Sequence, residues 1–499
     1  NLNANKALWF SGKPLASACN PIFDALFASG TLSNNDAWWR IRQAFAGNRA
    51  DFARQLASRV GNPSELSAKN VAAASNAPEK YLSKASNDSR AAREVQLYAL
   101  ELVGRKNPDQ AARLIAEMEE QLSATDQRFA WQQLGLTAAR RHHPSASVWL
   151  SKADMSDLEE EDQAWFLRAA LRAGDWSAVE ARIKALPKER QDDKTYRYWL
   201  ARSLEAQSRT LEARPIYLSL SEDFGYYGQL SREKLGSIIE TPRAPYKTSS
   251  EEIKQIGEMA GVKRALLLNS QGWRVEGNRE WNWAMQGLSD TQLIAAAELA
   301  SKNKMFDRSI YTAERTKVQH DFNLRYPMPY RSETEAAARK QGLDPAWVYG
   351  LIRQESRFIS DIRSSAGAAG LMQLMPATAR WVAGKMGMSD FRAGDVTDVD
   401  SNVQMGTYYL AYWAGRFEQN AILTTAGYNA GPGNARKWRA DRELDPTIYI
   451  ETIPFSETRD YVKKVLSNAS HYAPHFANSP TQLNQRLQMV PPPPAKAEE

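Results

Sequence analysis

Apolar residues in the first half of the chain recur at spacings of three and four, which predicts amphipathic helices rather than strands. The segments LRAALRAGDWSAVEARIKAL (167–186) and LARSLEAQSRTLEARPIYLSL (200–220) each contain an apolar helix, a break and a second helix. Leu171 corresponds to Leu204 and Ala173 to Ala206, an offset of 33 residues. A period of this length is typical of stacked helical hairpins that wind into a superhelix.

Proline-marked breaks divide the rest of the chain. ETPRAPYKTSS (240–250) has the composition of a linker, RYPMPY (325–330) marks a second boundary, and VPPPPAKAEE ends a proline-rich tail. We therefore predict an all-α protein of several domains. Their ranges are 1–239 (a superhelix of TPR-like hairpins), 249–326 (a helical linker domain), 327–475 (a compact domain) and 476–499 (an extended or disordered tail).

Composition excludes several classes of function. The net charge is +6, but no Lys/Arg run marks a nucleic-acid site, and no stretch is apolar over the ~18 residues that a membrane helix needs. The first residues, NLNANKALWF, lack the regions of a signal peptide, so we expect that none exists or that it has been removed. Cys19 is the sole cysteine, and the five histidines show no metal-ligand spacing, so neither a disulfide nor a metal site is expected.

Glu355 is the most unusual residue of the compact domain. Asp344 and Pro345 predict a helix start, and apolar residues from Val348 to Ile359 then follow a helical period. Glu355 lies on the same apolar face, where burial raises the pKa of a carboxyl group and keeps it protonated. The alternative is a structural glutamate paired with a nearby arginine, at position 353, 357 or 363.

Three further stretches carry polar and aromatic residues suited to a sugar site. In SSAGAAGLMQLMPATA (364–379), the part LMQLMPATA is predicted to begin a helix that carries Gln373 inward or toward a cleft. TTAGYNAGPGNARKW (424–438) ends a helix at a glycine-rich turn. ETIPFSETRDYV (451–462) adds a glutamate and a tyrosine. Aromatic faces pack on pyranose rings, while amides match hydroxyl and acetamido groups.

These stretches, in this order, resemble the motif set of lytic transglycosylases, whose catalytic domain has a goose-type lysozyme fold. The layout resembles that of the soluble lytic transglycosylases in particular. The resemblance implies that Glu355 is the general acid and base, and that Ser364 helps to orient it. It also implies a supporting role for Tyr461 and a glycan groove lined by five residues: Gln373, Met375, Tyr428, Asn429 and Glu451. Gly427 and the SSAG sequence depart from the family's AYNAG and S-P-A-G patterns.

The resemblance implies cleavage of the β-1,4 bond between N-acetylmuramic acid and N-acetylglucosamine. The C6 hydroxyl of the same muramyl residue then closes a 1,6-anhydro ring, so no cofactor or metal is needed. Two alternatives stay open. One is a hydrolytic muramidase on the same fold, for which Asp361 or Asp395 would have to position water. The other is a non-catalytic scaffold that only grips the wall.

The same resemblance implies a bacterial periplasmic protein that binds peptidoglycan glycan strands, with outer-membrane association left open. We expect a monomer without a nucleic-acid partner. Other cell-wall enzymes are candidate partners for the superhelix.

Overall fold

The computed structural model describes residues 2–60, 63–85, 88–156, 158–236 and 246–494. The chain forms two compact units, Asn1–Arg182 and Ile183–Glu499. The division falls inside the predicted superhelical domain 1–239. Most of the predicted linker 240–250 coincides with residues 237–245, which lie outside the described residues.

Five helices of the first unit begin at a side-chain cap, namely α2, α4, α6, α7 and α8 as bounded below. Ser33 and Asp36 form a capping box at the start of one helix, which satisfies backbone N–H groups that have no partner within it. Inside the unit, the Arg42 guanidinium pairs with the buried carboxylates of Glu94 and Asp126. The α-helices are α1 (Asn20–Ala28), α2 (Asn34–Ala46), α3 (Ala50–Gln55), α4 (Ala68–Asn76), α5 (Pro78–Leu82), α6 (Arg90–Lys106), α7 (Pro108–Glu117), α8 (Ala124–Arg140), α9 (Ala146–Leu150) and α10 (Glu160–Ala173), and α11 (Trp176–Lys184) runs across the division.

The second unit contains every residue of the predicted site. Its α-helices are α12 (Lys188–Gln191), α13 (Lys194–Ala206), α14 (Thr210–Leu220), α15 (Tyr226–Lys234), α16 (Ser250–Glu258), α17 (Ala260–Ser270), α18 (Arg274–Ala284), α19 (Asp290–Lys302), α20 (Phe306–Glu314), α21 (Phe322–Arg325), α22 (Arg331–Lys340), α23 (Pro345–Glu355), α24 (Pro376–Met386), α25 (Val399–Arg416), α26 (Ala421–Ala430), α27 (Pro432–Lys437), α28 (Pro446–Glu451) and α29 (Ser456–Tyr472).

The all-α class is confirmed. Among the described residues, extended pairing is limited to three isolated bridges, Arg363–Ala369, Ala369–Leu374 and Leu444–Val490. Short 3-10 helices complete the secondary structure at Leu2–Trp9, Ser17–Cys19, Leu56–Arg59, Ser64–Leu66, Glu119–Gln121, Asp395–Thr397 and Ala473–His475. None of the helices in the described ranges is long and apolar enough to span a bilayer.

The repeated segments fold as helical hairpins, as their pattern predicts. The first segment contains α10 followed by α11, and the second contains α13, which packs against α14. Leu171 and Leu204, which correspond in the 33-residue offset, are both buried. Gly174 ends α10 with a φ of 73°, a left-handed conformation that glycine adopts without steric cost.

Of the two states expected for the tail, extended or disordered, the described residues 476–494 show ordered, non-helical chain. Leu483 and Val490 are fully buried, and Leu444 and Val490 exchange backbone hydrogen bonds of 3.0 Å. Arg439 donates a 2.8 Å hydrogen bond to the carbonyl oxygen of Pro491. These contacts attach residues 479–491, the C-terminal strap, to the second unit. Apolar residues placed between prolines provide enough buried surface to order a segment without a helix.

Candidate active site

Helix α23 carries Glu355 as its last residue. The helix begins as predicted, because the Asp344 carboxylate accepts a 3.0 Å hydrogen bond from the Ala346 N–H and Pro345 occupies the first turn. Two residues of the C-terminal strap also contact the capping residue Asp344. The Ser479 hydroxyl donates a 2.6 Å hydrogen bond to Asp344, and the Arg486 guanidinium forms an ion pair with it. The start of the helix is therefore fixed by groups distant in sequence.

Close packing against α29 fixes the position of α23. A Cβ atom added at Gly350 would lie 2.5 Å from the Val465 carbonyl oxygen and 3.0 Å from the Ala469 nitrogen. Only glycine allows the two backbones to approach so closely. Tyr349, beside this contact, donates a 3.0 Å hydrogen bond to the carbonyl oxygen of Pro329, within the predicted domain boundary.

The helix ends at Glu355, four residues earlier than the apolar pattern predicts. Arg357 and Phe358 both have positive φ values, 47° and 67°, which are uncommon for residues with a Cβ atom. The Ser356 hydroxyl accepts a 3.1 Å hydrogen bond from the Phe358 N–H and supports this turn. Phe358 is buried, as expected, but it reaches the core from a turn rather than from a helix.

Glu355 is partly buried and hydrogen-bonded to a tyrosine. The Tyr461 hydroxyl donates a 2.6 Å hydrogen bond to its Oε1 atom. The pKa of Glu355 is raised to about 7, chiefly by burial; the hydrogen bond from Tyr461 opposes this increase, and the charge of Glu457 contributes to it. In the described part of the chain no ion pair involves Glu355. Arg353 instead pairs with Glu314 at 2.7 Å, so the purely structural interpretation lacks its partner.

Two of the predicted groove residues lie at the end of α26. The Tyr428 hydroxyl donates a 2.7 Å hydrogen bond to the carbonyl oxygen of Met372. Burial raises the pKa of Tyr428 well above 10, and the charge of Glu355 adds to this effect. The Asn429 side-chain oxygen accepts a 2.6 Å hydrogen bond from Thr458 on α29. The structure thus brings Glu355, Tyr428 and Tyr461 together. Asn429 directly follows Tyr428 in the sequence.

The loop between α23 and α24 holds three predicted residues in different ways. Gln373 lies in a turn with a φ of 46°, not on a helix, since α24 begins at Pro376. Its side-chain amide donates hydrogen bonds to the carbonyl oxygens of Ile362 and Gly370, at 3.2 and 2.8 Å. Met375 is 43% exposed, which leaves it accessible to a ligand.

Ser364 is exposed and bonds within its own loop. Its hydroxyl accepts a 3.0 Å hydrogen bond from the Ala368 N–H, and its own N–H donates to the Ala368 carbonyl oxygen at 2.9 Å. No hydrogen bond between Ser364 and Glu355 is present in the described ranges. The tyrosine on α29, rather than this serine, therefore orients Glu355 here.

Glu451 does not line a groove in this structure, and this corrects the sequence interpretation. It is 2% exposed, pairs with Lys463 at 2.7 Å, and accepts a 2.5 Å hydrogen bond from the Tyr227 hydroxyl. The glutamate thus joins α28 to α29 and α15. A sugar would find no accessible surface on it.

The two aspartates considered for water activation have other partners. Asp361 forms an ion pair with Arg274 at 2.8 Å, and this contact lowers the pKa of its carboxyl group. Asp395 accepts a 2.7 Å hydrogen bond from the Arg392 N–H in a turn. The carboxylate whose charge acts on Glu355 is instead that of Glu457, exposed on the first turn of α29.

Two residues that the sequence interpretation missed support the site. Asn402 is fully buried on α25, accepts a 2.8 Å hydrogen bond from the Met372 N–H, and donates to the carbonyl oxygens of Ala369 and Val396. Thr458 links Asn429 to α29. An asparagine at a core-facing helix position is a signal that could have identified the first; no local signal identifies the second.

A cavity of about 910 Å³ adjoins the end of α23. Residues 354–357 line it together with parts of α15, α20 and α29, and arginines and lysines outnumber the acidic groups in its wall. Of the predicted site residues only Glu355 lines this cavity. Glu355 thus lines this cavity, whereas Tyr428 and Tyr461, which lie against it, do not.

Comparison with protein families gives three matches within the second unit. Residues 333–448 match the Transglycosylase SLT domain, and residues 255–320 match the Soluble lytic murein transglycosylase L domain. Residues 452–480 match the Soluble lytic transglycosylase helical domain.

Relatives and solved structures cover nearly the whole chain. The soluble lytic murein transglycosylase of Escherichia coli K12 is 26% identical over 495 residues, 96% of this chain and 75% of the relative. The Salmonella typhimurium protein of the same name is 27% identical over 487 residues, 94% and 74%. The structure of an inactive mutant of lytic transglycosylase Slt from Pseudomonas aeruginosa is 30% identical, with a TM-score of 0.76 over 97% of this chain and 79% of that one. The 70 kDa soluble lytic transglycosylase from E. coli gives 25% identity and a TM-score of 0.71 over 98% and 80%.

Proposed function

Because the chain belongs to the soluble lytic transglycosylase family, we propose that Glu355 is the general acid and base with which it cleaves peptidoglycan. The chain is a peptidoglycan lytic transglycosylase. The observation that carries the residue assignment is the environment of Glu355: a carboxyl group without an ion-pair partner in the described ranges, bonded to Tyr461, with its pKa raised to about 7. A carboxyl group with this pKa both donates and accepts a proton near neutral pH.

The proposed reaction uses one carboxyl group twice. Protonated Glu355 donates its proton to the oxygen that links N-acetylmuramic acid to N-acetylglucosamine, and the bond from C1 to that oxygen breaks. The resulting carboxylate then accepts the proton of the C6 hydroxyl as that oxygen bonds to C1. Glu355 is restored, and the product carries a 1,6-anhydro ring. No water is added.

The other site residues are assigned supporting roles in this proposal. Tyr461 holds the Glu355 carboxyl group in position. Tyr428, Asn429, Gln373 and Met375 line the groove for the glycan, and Met375 is the most accessible of them. Ser364 stays a predicted contact at the groove edge, while burial removes Glu451 from the set.

Hydrolysis is the competing outcome, and a second carboxylate would have to activate water for it. Asp361 is engaged by Arg274 and Asp395 by a turn, which disfavours both. Glu457 is the carboxylate that remains near Glu355. Its exposure on the first helical turn favours an electrostatic influence on Glu355 over a fixed position for water.

The test is product analysis of purified peptidoglycan digested in ¹⁸O-labelled water. Wild-type enzyme should release unlabelled anhydro-muropeptides, lighter by one water than hydrolysis products. Glu355→Gln, which keeps the shape of the side chain, should lose at least roughly a hundredfold in turnover. Glu457→Gln is the matched control and should still give anhydro products. Labelled reducing ends from the wild type, or substantial activity in Glu355→Gln, would contradict the proposal.

We propose the following organisation for the whole chain. Residues 1–239 form a superhelical domain, 249–326 a linker domain and 327–475 the catalytic domain. The match of 255–320 to the L domain and of 333–448 to the transglycosylase domain supports the last two ranges. We propose a monomer located in the bacterial periplasm, where peptidoglycan lies, with the superhelix as the surface for long strands and for other wall enzymes. Sedimentation of the purified protein tests whether it is a monomer, and fractionation of cells tests whether it is periplasmic.

A further inference from the structure

Partly exposed aromatic rings form a continuous series on α24 and α25. The series, which we call the aromatic ladder, consists of Trp381, Tyr408, Tyr409 and Tyr412. Ring centroids are 4.8 Å apart between Trp381 and Tyr412, 6.1 Å between Trp381 and Tyr409, and 6.5 Å between Tyr408 and Tyr412. Tyr412 lies three residues after Tyr409 and four after Tyr408, so it is a neighbour of both on the surface of α25.

The ladder is connected to the groove at Tyr428. The ring centroids of Tyr409 and Tyr428 lie 5.4 Å apart, and the charge of Glu355 acts on Tyr428 as it does on Tyr461. A second connection runs through the chain itself. Exposed Met375 directly precedes Pro376, the first residue of α24, and Trp381 lies about 8 Å farther along that helix at 1.5 Å per residue.

The ladder is more open than a set of core residues. Trp381 has 36% of its surface exposed, whereas Trp281 and Trp199 elsewhere in the unit are fully buried. In the described part of the chain no protein group hydrogen-bonds the hydroxyls of Tyr408 or Tyr412. Rings with accessible faces and available hydroxyls suit pyranose rings, which present apolar C–H faces and polar edges.

We infer that the aromatic ladder is an additional binding surface for the glycan strand, beyond the sugars at the cleaved bond. Trp381 is its main stacking platform, because Arg416 already covers the ring of Tyr412 at 3.5 Å. The tyrosines hold Trp381 by ring contacts and offer hydroxyls to the sugar edges. This inference rests on the proposed function of the groove. It predicts that the enzyme prefers long strands over short ones.

The experiment compares Trp381→Ala with Trp283→Ala on two substrates. Trp283 is 69% exposed on α18, distant in sequence from the ladder, and provides a control for loss of a surface tryptophan. The substrates are long uncrosslinked glycan strands and a tetrasaccharide. Trp381→Ala should raise KM on long strands roughly three- to tenfold and leave kcat on the tetrasaccharide unchanged. Trp381→Tyr should restore most of the affinity, since it keeps a ring, and Trp283→Ala should match the wild type.

Two outcomes would overturn the inference. Equal KM values for Trp381→Ala and the wild type on long strands would show that the ladder does not bind glycan. An equal loss of kcat on both substrates, not restored by Trp381→Tyr, would show a structural role instead. Either result leaves the assignment of Glu355 intact, because that assignment fails only if Glu355→Gln retains activity or the wild type releases labelled reducing ends.

Discussion

Replacing Glu355 by glutamine should stabilise the protein at alkaline pH while abolishing its activity. The folded environment raises the pKa of this carboxyl group from 4.5 to about 7. Between these two pH values the folded protein binds a proton that the unfolded chain has released, so the free energy of unfolding falls as the pH rises through this window. Each tenfold change in proton affinity corresponds to ~1.4 kcal/mol, so an ionised Glu355 costs the folded state about 3 kcal/mol above pH 7.

Glutamine avoids this cost because it cannot ionise and still accepts the hydrogen bond from Tyr461. Below pH 4.5 the carboxyl group is protonated in both states, and the advantage of Glu355→Gln should vanish. At pH 8 the advantage should reach about 3 kcal/mol, or roughly 5 °C in the midpoint of the transition of the second unit.

Thermal and urea unfolding of both proteins at pH 4.5, 6 and 8 measures the effect. Glu276→Gln, an exposed glutamate on α18, is the matched control and should not change stability at any of these values. Equal stability of Glu355→Gln and the wild type at pH 8 would refute the raised pKa, and with it the physical basis of the acid role.

Three other predictions follow from the same region. For the wild type, kcat/KM should fall about tenfold per pH unit above pH 7, because the first step requires protonated Glu355. In profiles of rate against pH, Tyr461→Phe should move this decline to higher pH, because the hydrogen bond from Tyr461 lowers the pKa of Glu355. Glu457→Gln should move it to lower pH, because the charge of Glu457 raises that pKa. A shift of both variants in the same direction would contradict these two effects. Gly350→Ala should destabilise the second unit by about 1–3 kcal/mol, since the added methyl group meets the Val465 carbonyl oxygen at 2.5 Å; an unchanged unfolding midpoint would disprove the packing argument. Truncation after residue 475 should lower the midpoint by several degrees, because it removes buried Leu483 and Val490 and the partners of Asp344; a melting curve like that of the full chain would exclude a role for the strap.

Local sequence patterns correctly predicted the structural features that depend on residues close together in the chain. The cap at Asp344, the helix that follows it and the buried face with Glu355 all depend on residues within about three turns. The predicted end of that helix was wrong. The spacing of apolar residues shows which side chains are buried, but it does not determine the backbone φ angles. Phe358 meets the expectation of burial through a left-handed turn.

Contacts between distant residues account for the other differences. Glu451 has the residue type of a sugar ligand, but Tyr227, 224 residues away, and Lys463 on the next helix bury it in a network. The tail has the composition of a disordered segment, yet its few apolar residues find a complementary surface. Nothing in the local sequence of either segment reveals these partners.

The strap sets an order of events during synthesis. Asp344 begins the helix that ends at Glu355, the proposed acid and base, but Arg486, which pairs with Asp344, is made 142 residues later. At ribosomal speeds of roughly 5–20 residues per second, this delay is on the order of ten seconds. A growing chain therefore contains Glu355 well before it can complete the cap of the helix that holds this residue. We expect nascent chains halted before residue 486 to hold the start of this helix less firmly than the complete chain does, so the last residues made are the ones that secure it.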